Sequence, residues 1–121
     1  MRRAAAAESK FDANFGTASQ AARAVRGGVI SSRELTEHTY RRIKRYNPKI
    51  NAFVTLIEEQ AMDRARKADE ALAAGIVWGP LHGLPILVKD CFETAGVRTT
   101  CGAESLASYV PKQDEIGRAH V

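Results

Sequence analysis

Residues 78–102 read WGPLHGLPILVKDCFETAGVRTTCG, and the reading of this stretch decides the fold. Gly79-Pro80 and Gly83-Leu84-Pro85 punctuate a turn. The only concentrated apolar run of the chain follows, Leu84 to Val88, and it ends on Lys89. Proline is tolerated at the first position of a strand, where its missing N–H is not needed by a ladder. A strand from Pro85 would put Ile86, Val88 and Asp90 on one face and Leu87, Lys89 and Cys91 on the other. An ammonium directly after such a run has two readings. It is a charged gatekeeper at a strand end, or a lysine whose neutral form is favoured by desolvation and which acts as a base. Spacing alone leaves both open.

Working upstream, the pattern predicts a layered α/β arrangement. Thr17 is placed to cap a short helix with Ala21, Ala22 and Val25 on one face, ended by Gly27-Gly28. Ser31-Ser32-Arg33-Glu34 fits a capping box for a second helix. Its stripe is Leu35, Thr39, Ile43 and Tyr46, and Asn47-Pro48 is expected to stop it. Ile50 to Ile57 is a strand candidate with partial alternation. Glu58 to Ala74 forms the longest helix, with Met62, Ala65, Ala68 and Leu72 inward and Gly75 at its end. Asp63 and Lys67 make an i,i+4 pair on its surface. Downstream of Lys89, Thr94-Ala95-Gly96 reads as a turn, Val97–Thr100 as a short strand or loop, and Ala103–Tyr109 as a helical turn. The order helix, helix, strand, helix, strand argues for the α/β class.

Composition narrows the setting. The 121 residues suffice for one small domain, and 45% hydrophobic with 26% charged residues is the balance of an ordinary globular chain. The net charge of +4 invites an acidic partner such as nucleic acid. The basic residues are dispersed, however, and the densest cluster, Arg41-Arg42-Ile43-Lys44-Arg45, lies in a helical pattern that reads as a solvated face. Cys91 and Cys101 are too few for a disulfide framework and lack metal-ligand spacing. They fit free thiols in a reducing compartment, with Cys91 read as a small buried hydrophobe. His38, alone near an apolar stripe, reads as a boundary residue. No metal or organic cofactor is implied. Glu8 and Lys10 interrupt the alanine run at the start, so no export signal forms, and no run reaches membrane-spanning length. A soluble cytoplasmic protein is expected.

The string Gly79 to Asp90, followed by Thr94-Ala95-Gly96 and Thr99-Thr100, resembles the start of enzymes of the amidase-signature family. The resemblance extends more weakly upstream from about Thr17 to Leu56. It implies that the chain is the N-terminal part of an amidase-signature fold, in which helices pack around a mixed sheet, incomplete here. The chain then reads as a flexible terminus at residues 1–16, the amidase-domain fragment at 17–115 and a tail at 116–121. That tail, Ile116–Val121, departs from what the family would place there and reads as sequencing-adapter read-through rather than native sequence.

Enzymes of this family are similar in using a lysine and two serines, one of them in a cis peptide bond. Their lysine falls on Lys89, which the resemblance makes catalytic. A serine hydroxyl is a weak nucleophile until a base removes its proton, and a lysine can do so only when uncharged. The family serines belong to a Gly/Ser-rich segment that this chain does not contain. Ser31, Ser32, Ser105 and Ser108 are therefore given no such role, and the fragment by itself is expected to be inactive. Asp90 is expected to give structural support, with opposite strand parity turning it away from Lys89. Thr99, Thr100 and Gly102 match a loop near the active site and are expected to bind substrate, a small-molecule amide.

Three functions stay open. One is a general amidase, which His82, Leu84 and Cys91 favour. The second is the catalytic A subunit of a tRNA-dependent amidotransferase, whose sequences more often carry asparagine at the position of Cys91 and which would bring nucleic acid in as a partner. The third is a small non-catalytic basic binding module.

Overall fold

The computed structural model describes residues 11–115. The chain divides into two compact units, Met1–Arg45 with Glu58–Pro85, and Tyr46–Ile57 with Ile86–Val121. The proposed tail at 116–121 and the first ten residues of the proposed flexible terminus lie outside the described residues. Residues 11–16, grouped by sequence with that terminus, form a turn closed by Gly16 N–H on Asp12 O at 2.7 Å. Arg42 Nη1 donates to Asn14 Oδ1 at 2.7 Å and fixes this turn to the second helix. His38 Nε2 lies 3.1 Å from the same oxygen, the boundary position expected of it.

The first unit is built on two helices and most of a third. α1 spans Ala18–Arg26. Thr17 and Gln20 form its capping box: the Thr17 hydroxyl accepts from Gln20 N–H at 3.2 Å, and Gln20 Oε1 accepts from Thr17 N–H at 2.8 Å. At its other end Gly28 N–H reaches Val25 O and Val29 N–H reaches Ala24 O, at 3.1 and 2.9 Å. This bond pair closes a helix around a left-handed residue, here Gly28 at φ 70°.

α2 spans Ser32–Ile50 and α3 spans Glu58–Ala73. The Ser31–Glu34 box forms as expected, with Ser31 N–H on Glu34 Oε2 at 2.8 Å and Glu34 N–H on Ser31 Oγ at 3.0 Å. A second carboxylate also reaches this terminus. Asp69 of α3 accepts from Ser32 N–H at 2.7 Å and Arg33 N–H at 3.0 Å. Two of the four orphan donors at the start of α2 are thus satisfied by a neighbouring helix, with negative charge at the positive end of the dipole.

α2 does not stop at Asn47-Pro48. It carries Pro48 within it and runs to Ile50, followed by Asn51, which sits at φ 47° with its N–H on Asn47 O at 2.8 Å. A proline in the last turn removes a single ladder bond, and asparagine tolerates the left-handed cap that follows. The inward face also differs in part. Leu35 and Ile43 are buried as expected, joined by Thr36 and Tyr40, whereas Tyr46 is exposed.

Small residues let the elements of this unit approach closely. Val25 and Ala68 are each 1% exposed, with Ala22, Ala24, Leu35 and Ala65 also buried. Burying a side chain such as Leu35 stabilises by about 1.5–3 kcal/mol. The turn at 78–83 closes against these helices. Ser32 Oγ donates to Gly83 O at 2.6 Å. His82 is buried, with Trp78 N–H donating to its Nδ1 at 3.1 Å and its Nε2 3.0 Å from Ala68 O. An acceptor at Nδ1 leaves Nε2 as the donor, so the neutral ring carries its proton there. Arg64 stacks over Trp78, 4.1 Å from the ring centroid.

In the second unit the expected paired strands do not form among the described residues. Among the described residues the only β pairing is an isolated antiparallel bridge, Thr94 to Val97. Neither Ile50–Ile57 nor Pro85–Lys89 forms a ladder, so the mixed sheet of the expected α/β class is absent from the described residues. An extended segment becomes a strand only when a neighbour takes up its N–H and C=O groups. At Phe53 a side chain stands in for that neighbour: Phe53 N–H donates to Asn47 Oδ1 at 2.9 Å, and Asn47 Nδ2 donates to Phe53 O at 3.0 Å. Arg98 Nη2 holds the next carbonyl, Val54 O, at 2.8 Å. Ala103–Tyr109 contracts to a 3-10 turn at Glu104–Leu106.

Gly83 and Gly75 both have positive φ, 74° and 78°, but differ in their surroundings. A Cβ on Gly83 would meet Ser32 Cβ at 3.0 Å and Val25 Cγ1 at 3.1 Å, whereas one on Gly75 would meet nothing within 4 Å. Gly75→Ala is expected to cost only the left-handed strain, about 1–2 kcal/mol. Gly83→Ala adds a clash in packed surroundings, worth about 1–3 kcal/mol more. Urea denaturation of the two variants measures the difference, and equal losses would show that the 78–83 turn does not pack on α1 and α2 as described.

Candidate active-site loop

Lys89, Asp90, Thr99, Thr100 and Gly102 all belong to the second unit. They are brought together by the return of the chain between Phe92 and Thr100. Phe92 N–H donates to Lys89 O at 3.0 Å, turning the chain directly after the motif. Thr94 to Val97 makes the tight turn expected of Thr94-Ala95-Gly96, with Val97 N–H on Thr94 O at 3.0 Å and Gly96 at φ 72°. Ala95 N–H donates to Asp114 Oδ1 at 2.8 Å, and Gly96 N–H to Pro111 O at 2.9 Å, fastening the turn to the segment after the 3-10 turn.

The returning chain meets Asp90. Thr100 N–H donates to Asp90 Oδ1 at 3.0 Å, the Thr100 hydroxyl donates to Asp90 Oδ2, and Cys101 N–H donates to Asp90 O at 3.1 Å. Gly102 N–H donates in turn to Thr100 Oγ1 at 3.2 Å. Asp90 thus organises the loop that carries the threonines. Its carboxyl is held below the usual carboxylate range, first by the Thr100 hydroxyl, then by the Thr100 backbone N–H, with Arg98 adding a weaker pull.

Thr99 and Thr100 are buried and Gly102 is exposed at φ 71°. The Thr99 hydroxyl donates to Val97 O at 3.1 Å. Lys89 is exposed, as are Ile86 and Leu87 before it, the latter 73%. These residues by themselves leave the Lys89 side chain open to water. Cys91 is exposed too, which corrects its reading as a buried hydrophobe; without a sheet over residues 85–91, strand parity has no interior to turn it toward. The serines near the motif are otherwise engaged: Ser31 in the capping box and Ser32 on Gly83 O.

Arg98 is a residue the sequence reading passed over. Its guanidinium reaches Val54 O at 2.8 Å and Ala107 O at 3.3 Å, bracing the loop from two segments. A five-donor fork is suited to collecting scattered carbonyls, but no sequence spacing announces it.

Because the folded state depresses the Asp90 carboxyl, its stabilising contribution is present above the unfolded value near 3.9 and is lost as pH falls through the lower folded value. Thr100→Val removes the leading donor, so the Asp90 titration is expected to move up toward the ordinary value, while Thr100→Ser leaves it depressed. Carboxyl carbon chemical shifts followed below pH 5 read this directly. An unchanged Asp90 midpoint in Thr100→Val would remove the hydroxyl from the account.

Comparison with known proteins gives the loop a context. The Amidase family model matches residues 34–117, from α2 through the motif. The A subunit of glutamyl-tRNA(Gln) amidotransferase from Alcanivorax borkumensis is 51% identical over 87 residues, 69% of this chain and 18% of that protein. The protein of the same name from Synechococcus sp. is 45% identical over 87 residues, 72% of this chain and 18% of the relative. That from Alkalilimnicola ehrlichii is 45% identical over 98 residues, covering 81% and 20%. The chain therefore spans about a fifth of the length of these relatives. With the family match running over most of its residues, the chain belongs to the amidase family.

Proposed function

We propose that this chain is part of the catalytic A subunit of a tRNA-dependent amidotransferase, with Lys89 as the base of its amidase centre. The observation that carries the reading is the 51% identity to the A subunit of a glutamyl-tRNA(Gln) amidotransferase over a region of 87 residues. In this reading the complete protein releases ammonia from an amide and supplies it to a glutamyl-tRNA(Gln). Such a role needs further subunits and a tRNA as partners, and it fits a cytoplasmic site of action.

The role of Lys89 follows from what a serine nucleophile needs. A hydroxyl attacks an amide carbonyl only as its proton is withdrawn, and a neutral amine within hydrogen-bond reach can withdraw it. The two serines of this centre would come from sequence beyond this chain. The surroundings that keep the amine neutral would come with them, since residues 86–89 alone leave it exposed. Asp90 would hold the Thr99–Gly102 loop at a fixed distance from Lys89, and that loop would line the substrate site. No step here calls on a cofactor.

A general amidase acting on a small-molecule amide is the second reading, favoured by Cys91, where the family resemblance would lead one to expect asparagine in an amidotransferase subunit. Both readings share Lys89, and they part on the acceptor of the ammonia.

The test is expression of the complete reading frame with its partner subunits and assay of amide transfer to glutamyl-tRNA(Gln). Transfer by the wild type is expected, with a loss of at least about 100-fold in Lys89→Ala and a retained fold. Hydrolysis of small carboxamides without any transfer to tRNA would select the second reading. Near-normal turnover by Lys89→Ala would reject the lysine as base in either.

A further inference from the structure

Both cysteines of the chain lie in the candidate loop, ten positions apart, and both are exposed thiols. The sequence suggests no relation between them. The fold supplies one. Cys101 N–H donates to Asp90 O at 3.1 Å, and Asp90 O belongs to the peptide group whose nitrogen is that of Cys91. Standard peptide geometry across this single bond brings the two Cα atoms to within about 7 Å of each other. That is the edge of the range a disulfide spans, roughly 4.4–6.8 Å. Register at this point is not left to one bond. The Asp90 carboxylate takes both the N–H and the hydroxyl of Thr100, the residue next to Cys101, so the neighbouring position is held on the same partner.

Two more features suit Cys101 to a change of state. It sits at φ 51°, a left-handed conformation in which a residue with a Cβ is strained, and only the surrounding bonds keep it there. Its side chain is open to solvent, as is that of Cys91, so a small oxidant can reach either sulfur.

We propose that Cys91 and Cys101 form a reversible thiol–disulfide pair that locks the loop from Lys89 to Gly102. The oxidant is a small-molecule disulfide of the glutathione class. The thiolate of one cysteine attacks a sulfur of glutathione disulfide, forming a mixed disulfide and releasing one glutathione thiolate. The second cysteine, as its thiolate, attacks the protein sulfur of that mixed disulfide, forming the Cys91–Cys101 bond and releasing the second glutathione. Two protein thiols are oxidised, one glutathione disulfide is reduced to two glutathiones, and the two thiol protons end on the released thiols. The ring closed by the bond contains Phe92 to Thr100 and the Thr94–Val97 turn. The lock holds Thr100 against Asp90 even where the carboxyl is protonated. This inference does not rest on the proposed function.

The experiment is equilibration of the full chain with glutathione redox buffers, followed by acid quenching and tryptic mapping. Cleavage after Lys89, Arg98 and Lys112 puts Cys91 and Cys101 in separate peptides, so the bond appears as one cross-linked pair. The effective concentration of the two thiols toward each other is read in native buffer and again in 8 M urea. The native value is expected to exceed the unfolded one at least tenfold, and Thr100→Val is expected to lower it toward the unfolded value. A native value equal to or below that in urea overturns the proposal. So does a product dominated by glutathione adducts or by intermolecular dimers, since either would mean that the fold holds the sulfurs apart.

Discussion

The approach of Gly83 to Ser32 is the constraint on which the first unit depends. Three elements meet there: the end of α1 through Val25, the start of α2 through Ser32, and the turn of the motif. A hydrogen bond of 2.6 Å between the Ser32 hydroxyl and Gly83 O leaves no room for a side chain at residue 83. The same end of α2 is gripped from α3 by Asp69, so one helix terminus collects bonds from two other elements. Capping is usually a local matter of a few tenths to about 2 kcal/mol. Here it is also a tertiary contact, because the acceptor comes from 37 positions away.

The first half of the motif thereby has a structural explanation that needs no catalysis. Gly79 to Gly83 forms a turn whose histidine is buried between two backbone groups and whose glycine is packed against a helix start. The second half differs in kind. Asp90 binds the returning chain through both carboxylate oxygens and its own carbonyl, which ties the loop back directly after an exposed lysine. Support of this kind is what the proposed site would require of its scaffold.

Residues 86–88 stand apart from both arrangements. They have strand composition and yet pair with no strand among the described residues. Ile86 and Leu87 are exposed, and the exposed apolar run precedes the very residue that the family resemblance makes catalytic. Membership of the amidase family explains the sequence of this run, while its conformation here follows from the neighbours it lacks among the described residues.

Much of the fold was legible from local sequence, where short-range chemistry decides the outcome. Thr17 with Gln20, Ser31 with Glu34, Gly28 and Gly75 each fix a helix end through bonds to residues no more than five positions away. The family, too, was legible, because the motif from Gly79 to Asp90 is long and ungapped. What tertiary structure alone decided involves partners far apart in the chain. Asp69 on the start of α2, Arg98 on Val54 and the threonine return onto Asp90 span 37, 44 and 10 positions. No periodicity encodes such pairings. The expected strands do not pair among the described residues for the same reason: alternation says which face a side chain takes, but a ladder exists only where another segment supplies the opposing backbone.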